Sequence, residues 1–183
     1  MAIQNDDFRR LIETHQRMVF SLALRITGEH AAAEEVAQDV FLALHRNVER
    51  LASEDHIRYW LRRVAVHRAT DALRRRAVRP ESGAEEWMED RHSDHGWPGG
   101  SGAAGASGIT AGLQARLEDL LRALPEPMRV AIVLRYQEEM LPDEIAQLLK
   151  QPVATVRSNL HRGLKLLRRK ATVTMKEYIR EPA

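Results

Sequence analysis

Residues 141–171, LPDEIAQLLKQPVATVRSNLHRGLKLLRRKA, read as two short helices joined by a tight connection. Pro142 suits the first helical position, where its missing N–H leaves no bond unmade, and Asp143 and Glu144 follow in the first turn, where carboxylates meet the positive end of the helix dipole. Ile145, Leu148 and Leu149 then make one apolar stripe. Pro152 cannot extend that helix and disfavours helical geometry at Gln151, so the chain must turn between Lys150 and Ala154. A second helix is expected to restart near Thr155.

Along the second helix Val156, Leu160, Leu164 and Leu167 recur at helical spacing as the inward set, and the other face carries Arg157, Ser158, His161, Arg162 and Lys165. From Arg157 to Lys170 there are six basic residues and no acid, a pattern suited to a helix laid in the major groove of duplex DNA. The same spacing also fits an amphipathic hairpin whose basic face is simply solvated.

At 183 residues the chain has room for one large domain or two small ones. Cysteine is absent, which excludes disulfides, a thiolate nucleophile and cysteine-ligated zinc, and fits a reducing compartment. No apolar run is long enough to span a bilayer, and the opening MAIQNDDFRR is too acidic and polar for a signal peptide, so the expectation is a cytoplasmic protein with no membrane insertion. The net charge is only +2, but residues 1–77 carry +2, residues 78–112 carry −4 and residues 113–183 carry +4. Two basic lobes flanking an acidic connector suit contact with a polyanion at two places.

Taken in order, Phe8 to Thr27 is the first helix, broadly apolar through Leu11, Ile12, His15, Met18, Val19, Leu22, Leu24 and Ile26, and ended by Thr27-Gly28. His15 is expected to be a packed histidine rather than a ligand. The second helix, about Ala31 to Arg46, turns Val36, Val40, Phe41 and Leu44 inward and Glu35, Gln38, Asp39 and Leu42 outward. A leucine among carboxylates on an outward face hints at a protein partner, although single exposed leucines are ordinary.

The third helix, Ile57 to Arg76, holds seven arginines and one acid between Arg58 and Arg76, with Tyr59 and Trp60 at its leading end. Leu61, Val64, Ala65, Ala72 and Leu73 are expected inward, and Arg63, His67, Thr70 and Arg74 along one outer face. Basic side chains hold phosphates and aromatics stack on unpaired bases, so the combination suits opened DNA. For Trp60 a place in the core is an equal alternative.

Eight of the ten glycines fall between Pro80 and Gly112, with almost no aliphatic periodicity, which marks a flexible linker. Its first half is acidic, with Trp87 and Trp97 as the large apolar side chains. Asp90, His92, Asp94 and His95 could be drawn as a metal site, but such a segment gives the donors no ordering neighbours, and neither a metal nor any other cofactor is assigned. A helix follows from Leu113 to Leu124, a break at Pro125-Glu126-Pro127, and a further helix from Met128 to Glu139 with Val130, Val133, Leu134 and Tyr136 as its apolar set. The expected fold class is therefore all-α: two small helical domains, 1–78 and 113–183, joined by a linker over 79–112, the C-terminal domain ending in a helix-turn-helix.

The run ALPEPMRVAIVLRYQEEMLPDEIAQLLKQPVATVRSNLHRGLKLLRR resembles the fourth region of ECF-type sigma factors, the promoter-specificity subunits of bacterial RNA polymerase. AEEVAQDVFLAL followed by YWLRRVAVHRATDALRRR resembles their second region, in the right order and separated by a linker. The resemblance implies that the helix matching Glu34 to His45 docks on the clamp coiled coil of core RNA polymerase through Glu35, Gln38, Asp39 and Leu42. It implies that the third helix and the connector before it, Val48 to His56, melt and read the downstream promoter element, for which Tyr59, Trp60, Arg63, His67, Thr70 and Arg74 are the candidate residues. The upstream element would be met as duplex by Thr155, Arg157, Ser158, His161, Arg162 and Lys165. Promoter DNA, core RNA polymerase and an anti-sigma factor are the expected partners. The chain departs from the usual pattern at His67, where asparagine is common, at Lys150 and Ala154, where glycine is common, and at Asn159, where a basic residue is common.

A stand-alone helix-turn-helix regulator is the rival reading, but it leaves the basic third helix and the acidic linker without a role. An enzyme is the weaker rival: the chain has no HExxH, no phosphate-binding glycine loop followed by lysine and no nucleophile elbow.

Overall fold

The computed structural model describes residues 5–78 and 108–180, and every regular element among them is helical. The chain divides into two compact units, Met1–Gly105 and Ala106–Ala183. Trp87, Trp97 and the Asp90, His92, Asp94, His95 cluster lie outside the described residues.

The first unit packs three helices against one another: α1 (Asn5–Thr27), α2 (His30–Asn47) and α3 (Glu54–Val78), with a 3-10 turn at Val48–Arg50. Its core is Val19, Leu22, Ile26, Val36, Val40, Leu44, Leu61 and Val66, which follows the expected stripes of the first two helices but corrects that of α3. There Leu61 and Ala65 are buried as expected, whereas Val64, Ala72 and Leu73 are only half-buried and the unexpected Val66 and Ala69 are buried, because α1 and α2 cover that flank of the helix. α1 stops where Gly28 takes φ 78°, a left-handed value that costs glycine little, and the Gly28 N–H donates to the Leu24 carbonyl at 2.7 Å. α3 starts three residues earlier than the periodicity suggests. Ser53 caps it, its hydroxyl accepting from the His56 N–H at 3.2 Å, and Glu54 and Asp55 occupy the first turn.

His15 is buried, as expected of a packed histidine, and its Nε2 has no hydrogen-bond partner among the described residues. Burial lowers its pKa below the ordinary histidine value of 6.5, Arg58 and Arg62 lower it further, and Glu54 opposes them, so the imidazole is held towards its neutral form.

The second unit holds α4 (Gly108–Arg122), α5 (Glu126–Tyr136), α6 (Pro142–Leu149) and α7 (Val153–Arg180). α4 begins within the stretch expected to be linker, and the break before α5 falls at Pro125, with Pro127 accommodated in the first turn. Arg129 is buried, and its guanidinium donates to the carbonyls of Arg122 at 2.6 Å and Leu124 at 3.1 Å, satisfying the C-terminal end of α4. Burial, then Arg122, lowers its pKa, and Glu126 raises it. Tyr136 corrects the expected apolar set of α5: it is 60% exposed, because at 100° per residue it stands about 160° around the helix from the fully buried Leu134.

Gly163 sets how α7 lies on α5. A Cβ at that position would stand 2.6 Å from Ile132 Cδ1 and 3.2 Å from Met128 Cβ, so the absence of a side chain lets the two helices approach.

Candidate nucleic-acid interface

The helix-turn-helix forms as the two prolines require. Pro142 opens α6, and the Glu144 carboxylate accepts from the Leu141 N–H at 2.6 Å. α6 ends at Lys150, which adopts the left-handed conformation (φ 52°, ψ 47°), while the Gln151 N–H returns to the Ala146 carbonyl at 3.0 Å. The glycine usual there would take that conformation without a Cβ penalty. The Pro152 carbonyl then receives the N–H groups of Thr155 at 3.0 Å and Val156 at 3.2 Å, so α7 starts at Val153, just ahead of the expected restart.

Ile145, Leu148 and Val156 are fully buried and lock α6 to α7. This fixes the face that α7 presents. Thr155, Arg157, His161, Arg162 and Lys165 are exposed and Ser158 is half-buried, so the proposed duplex-reading set sits on the free surface of roughly the first four turns. Arg157 lies 3.9 Å from the Asp143 carboxylate, a long contact between two exposed groups.

On the first unit, the outward face of α2 carries Glu35, Gln38 and Leu42 exposed and Asp39 half-exposed, with Leu42 at 53%. No described residue of this unit buries that leucine. Across α3, Trp60, Arg63, Val64, His67, Arg68 and Asp71 line an open groove. Trp60, Arg63 and His67 come together there as expected, and Arg74 is exposed about two turns beyond His67. Tyr59 is half-buried and does not line the groove.

Thr70 corrects the expected outer face. It is 8% exposed, and its hydroxyl donates back along the helix, with the Val66 carbonyl at 2.9 Å and the His67 carbonyl at 3.0 Å. At 100° per residue the Arg63, His67, Thr70, Arg74 stripe and the groove residues differ in mean direction by roughly 60°. α1 and α2 cover the Thr70 flank, where Val66 and Ala69 are buried, and the free face turns towards Arg68 and Asp71. These two residues were not singled out by the sequence pattern. Their signal was present as the positions next to His67 and one turn beyond it, but periodicity alone does not say which flank a neighbouring helix covers.

Arg68 also crosses to α2: its Nη1 donates to Asp39 Oδ2 at 3.3 Å. Arg76 and Glu29 make a second ion pair between the same two segments. One end of the basic groove is thus tied to the outward face of α2.

The chain can be compared with known proteins. The sequence profile of Sigma-70 region 2 matches residues 11–79, and that of Sigma-70 region 4 matches residues 114–167. The ECF RNA polymerase sigma factor SigW of Bacillus subtilis is 26% identical over 176 residues, which cover 90% of this chain and 88% of SigW. The RNA polymerase sigma-H factor of Pseudomonas aeruginosa is 27% identical over 158 residues, 85% of this chain and 81% of that protein. Among solved structures, the sigma factor RpoE of Bartonella quintana, in complex with the anti-sigma factor NepR, has a similar fold, with a TM-score of 0.65 at 16% identity over 91% of this chain and 98% of that one.

Proposed function

The chain belongs to the ECF-type sigma factors, which direct transcription initiation, and from that premise we propose how its two units divide the work. The outward face of α2, with Glu35, Gln38, Asp39 and Leu42, docks on core RNA polymerase. The α3 groove, with Trp60, Arg63 and His67, holds the unpaired strand of the downstream promoter element, while Arg74 meets phosphate beyond it. Tyr59 flanks the groove, and Thr70 acts from inside the helix bundle by fixing the local backbone. The N-terminal turns of α7 enter the major groove of the upstream element with Thr155, Arg157, Ser158, His161, Arg162 and Lys165.

One observation carries this reading: a basic groove beginning at a tryptophan and a separate helix-turn-helix stand on two different units, in the order of the two matched regions. A duplex-only regulator needs the second and has no use for the first. The reading assigns the chain no reaction and no cofactor of its own, since positioning and melting are binding events. It works in the cytoplasm, where the polymerase is; among the described residues no helix is long and apolar enough to cross a membrane. An anti-sigma factor is a further proposed partner, supported by the complex in which the similar RpoE was solved.

The test is reconstitution with core polymerase and selection of bound fragments from random DNA. The expected product is a bipartite element whose downstream half opens, with transcription starting a fixed distance beyond it. Tight binding of the isolated chain to a palindrome as a dimer, without polymerase association, would instead favour the stand-alone regulator.

A further inference from the structure

We propose that Arg68 is a further DNA-contacting residue of the α3 groove, held by Asp39 until a partner engages the outward face of α2. This rests on the reading that α2 meets core polymerase and that the α3 groove takes unpaired DNA. Arg68 lines the groove beside Trp60, Arg63 and His67, and the same side chain donates to Asp39, one of the four residues of the α2 face. A guanidinium carries five donors in a fork, so a side chain placed between a carboxylate and a phosphate can serve either.

The pair is suited to exchange. Both side chains are close to half exposed and the contact is 3.3 Å, so the attraction is weak and easily replaced. The Glu29–Arg76 pair also bridges these helices, so releasing Arg68 from Asp39 does not require α2 and α3 to separate. A partner that offers a cation or a hydrogen-bond donor to Asp39 takes the carboxylate away from Arg68, which then turns its charge to a phosphate of the strand in the groove. By linkage, a phosphate on Arg68 frees Asp39 for that partner to the same degree. Docking and strand capture thus favour each other through one ion pair.

The experiment is a double-mutant cycle on the full chain, reading affinity for a fluorescently labelled single-stranded oligonucleotide of mixed sequence at low ionic strength. Asp39→Asn should tighten binding about two- to fivefold, the range open to an exposed ion pair. In the Arg68→Gln background the same substitution should give little further gain. Glu35→Gln removes a carboxylate from the same helix without touching Arg68 and reports the general effect of charge, so its gain should be smaller. An Asp39→Asn gain that is equal with and without Arg68, or no gain at all, overturns the proposal. With core polymerase present, Arg68→Gln should slow open-complex formation on every promoter tested, and an unchanged rate also counts against it. If the wild-type chain fails to direct transcription with core polymerase, the functional reading falls; if transcription is normal and the cycle is additive, only the role of Arg68 falls.

Discussion

The basic faces of α3 and α7 have similar composition but different surroundings. On α7 the proposed contact residues stand clear of the unit: five of the six are exposed, and the ion pair that Arg157 makes with Asp143 is 3.9 Å long. On α3 Trp60 and Arg63 are half-buried and share a groove with the exposed His67, Thr70 has been drawn inside, and Arg68 is paired with the neighbouring helix. A face of freely projecting side chains on a rigid helix suits a duplex, whose groove supplies the geometry. A groove with aromatic and basic walls suits a flexible single strand, for which the protein must supply it.

The largest expected effect tests whether the first unit has a protein-facing side as well as a DNA-facing one. Asp39→Arg combined with Leu42→Ser should abolish association with core polymerase in a pull-down, while thermal unfolding shifts little, because Leu42 is exposed and Asp39 makes only a half-exposed pair. A large loss of stability would mean that these residues support the fold.

The next expectation sharpens the contrast between reading bases and holding a strand. Arg157→Ala or Arg162→Ala should cost about 1 to 3 kcal/mol at particular base pairs of the upstream element if either is bidentate to guanine. Arg63→Ala and Arg74→Ala should weaken open-complex formation on all promoters and flatten its salt dependence. Transcription across a panel of upstream-element variants decides: uniform losses for both α7 substitutions would make that helix an electrostatic anchor only.

The platform beneath the duplex-reading face can be broken without touching it. Gly163→Leu forces a side chain against Met128 and Ile132 and should destabilise the second unit by about 1 to 3 kcal/mol in denaturant unfolding. Spectroscopic probes placed in the first unit should report an unchanged transition.

The smallest effect belongs to the first unit alone. Because the folded pKa of His15 lies below 6.5, the unfolded chain takes up its proton first as pH falls. The stability of this unit should therefore decline below about pH 6.5 and level off beneath the folded pKa. Chemical denaturation of wild type and His15→Leu across that range should show a weaker decline in the variant; parallel curves would mean that His15 protonates equally well in both states.

The all-helical class, the two lobes and the helix-turn-helix were legible in the sequence, because they follow from local rules. Pro142 and Pro152 punctuate α6 and α7 wherever they pack, and the inward sets Val36, Val40, Phe41, Leu44 and Ile145, Leu148, Val156 are buried as the period of 3.6 requires. The exposure of Leu42 was legible for the same reason. Two of the ten glycines lie outside the 80–112 stretch, and they divide the case: Gly28 beside Thr27 announced a helix end, whereas nothing local announced that Gly163 lies against α5.

What the tertiary structure alone decided are the relations between helices. Periodicity places Thr70 near Arg63 and His67, but only the crossing of α1 and α2 over α3 determines that this flank is covered and that Arg68 and Asp71 face the groove. Asp39 and Arg68 are 29 residues apart, and Arg129 reaches carbonyls at the end of another helix. A sequence fixes the direction of a side chain about its own helix axis through the turn angle. Which neighbour stands in that direction depends on interhelical distance and angle, and these emerge only when all the side chains of the unit pack at once.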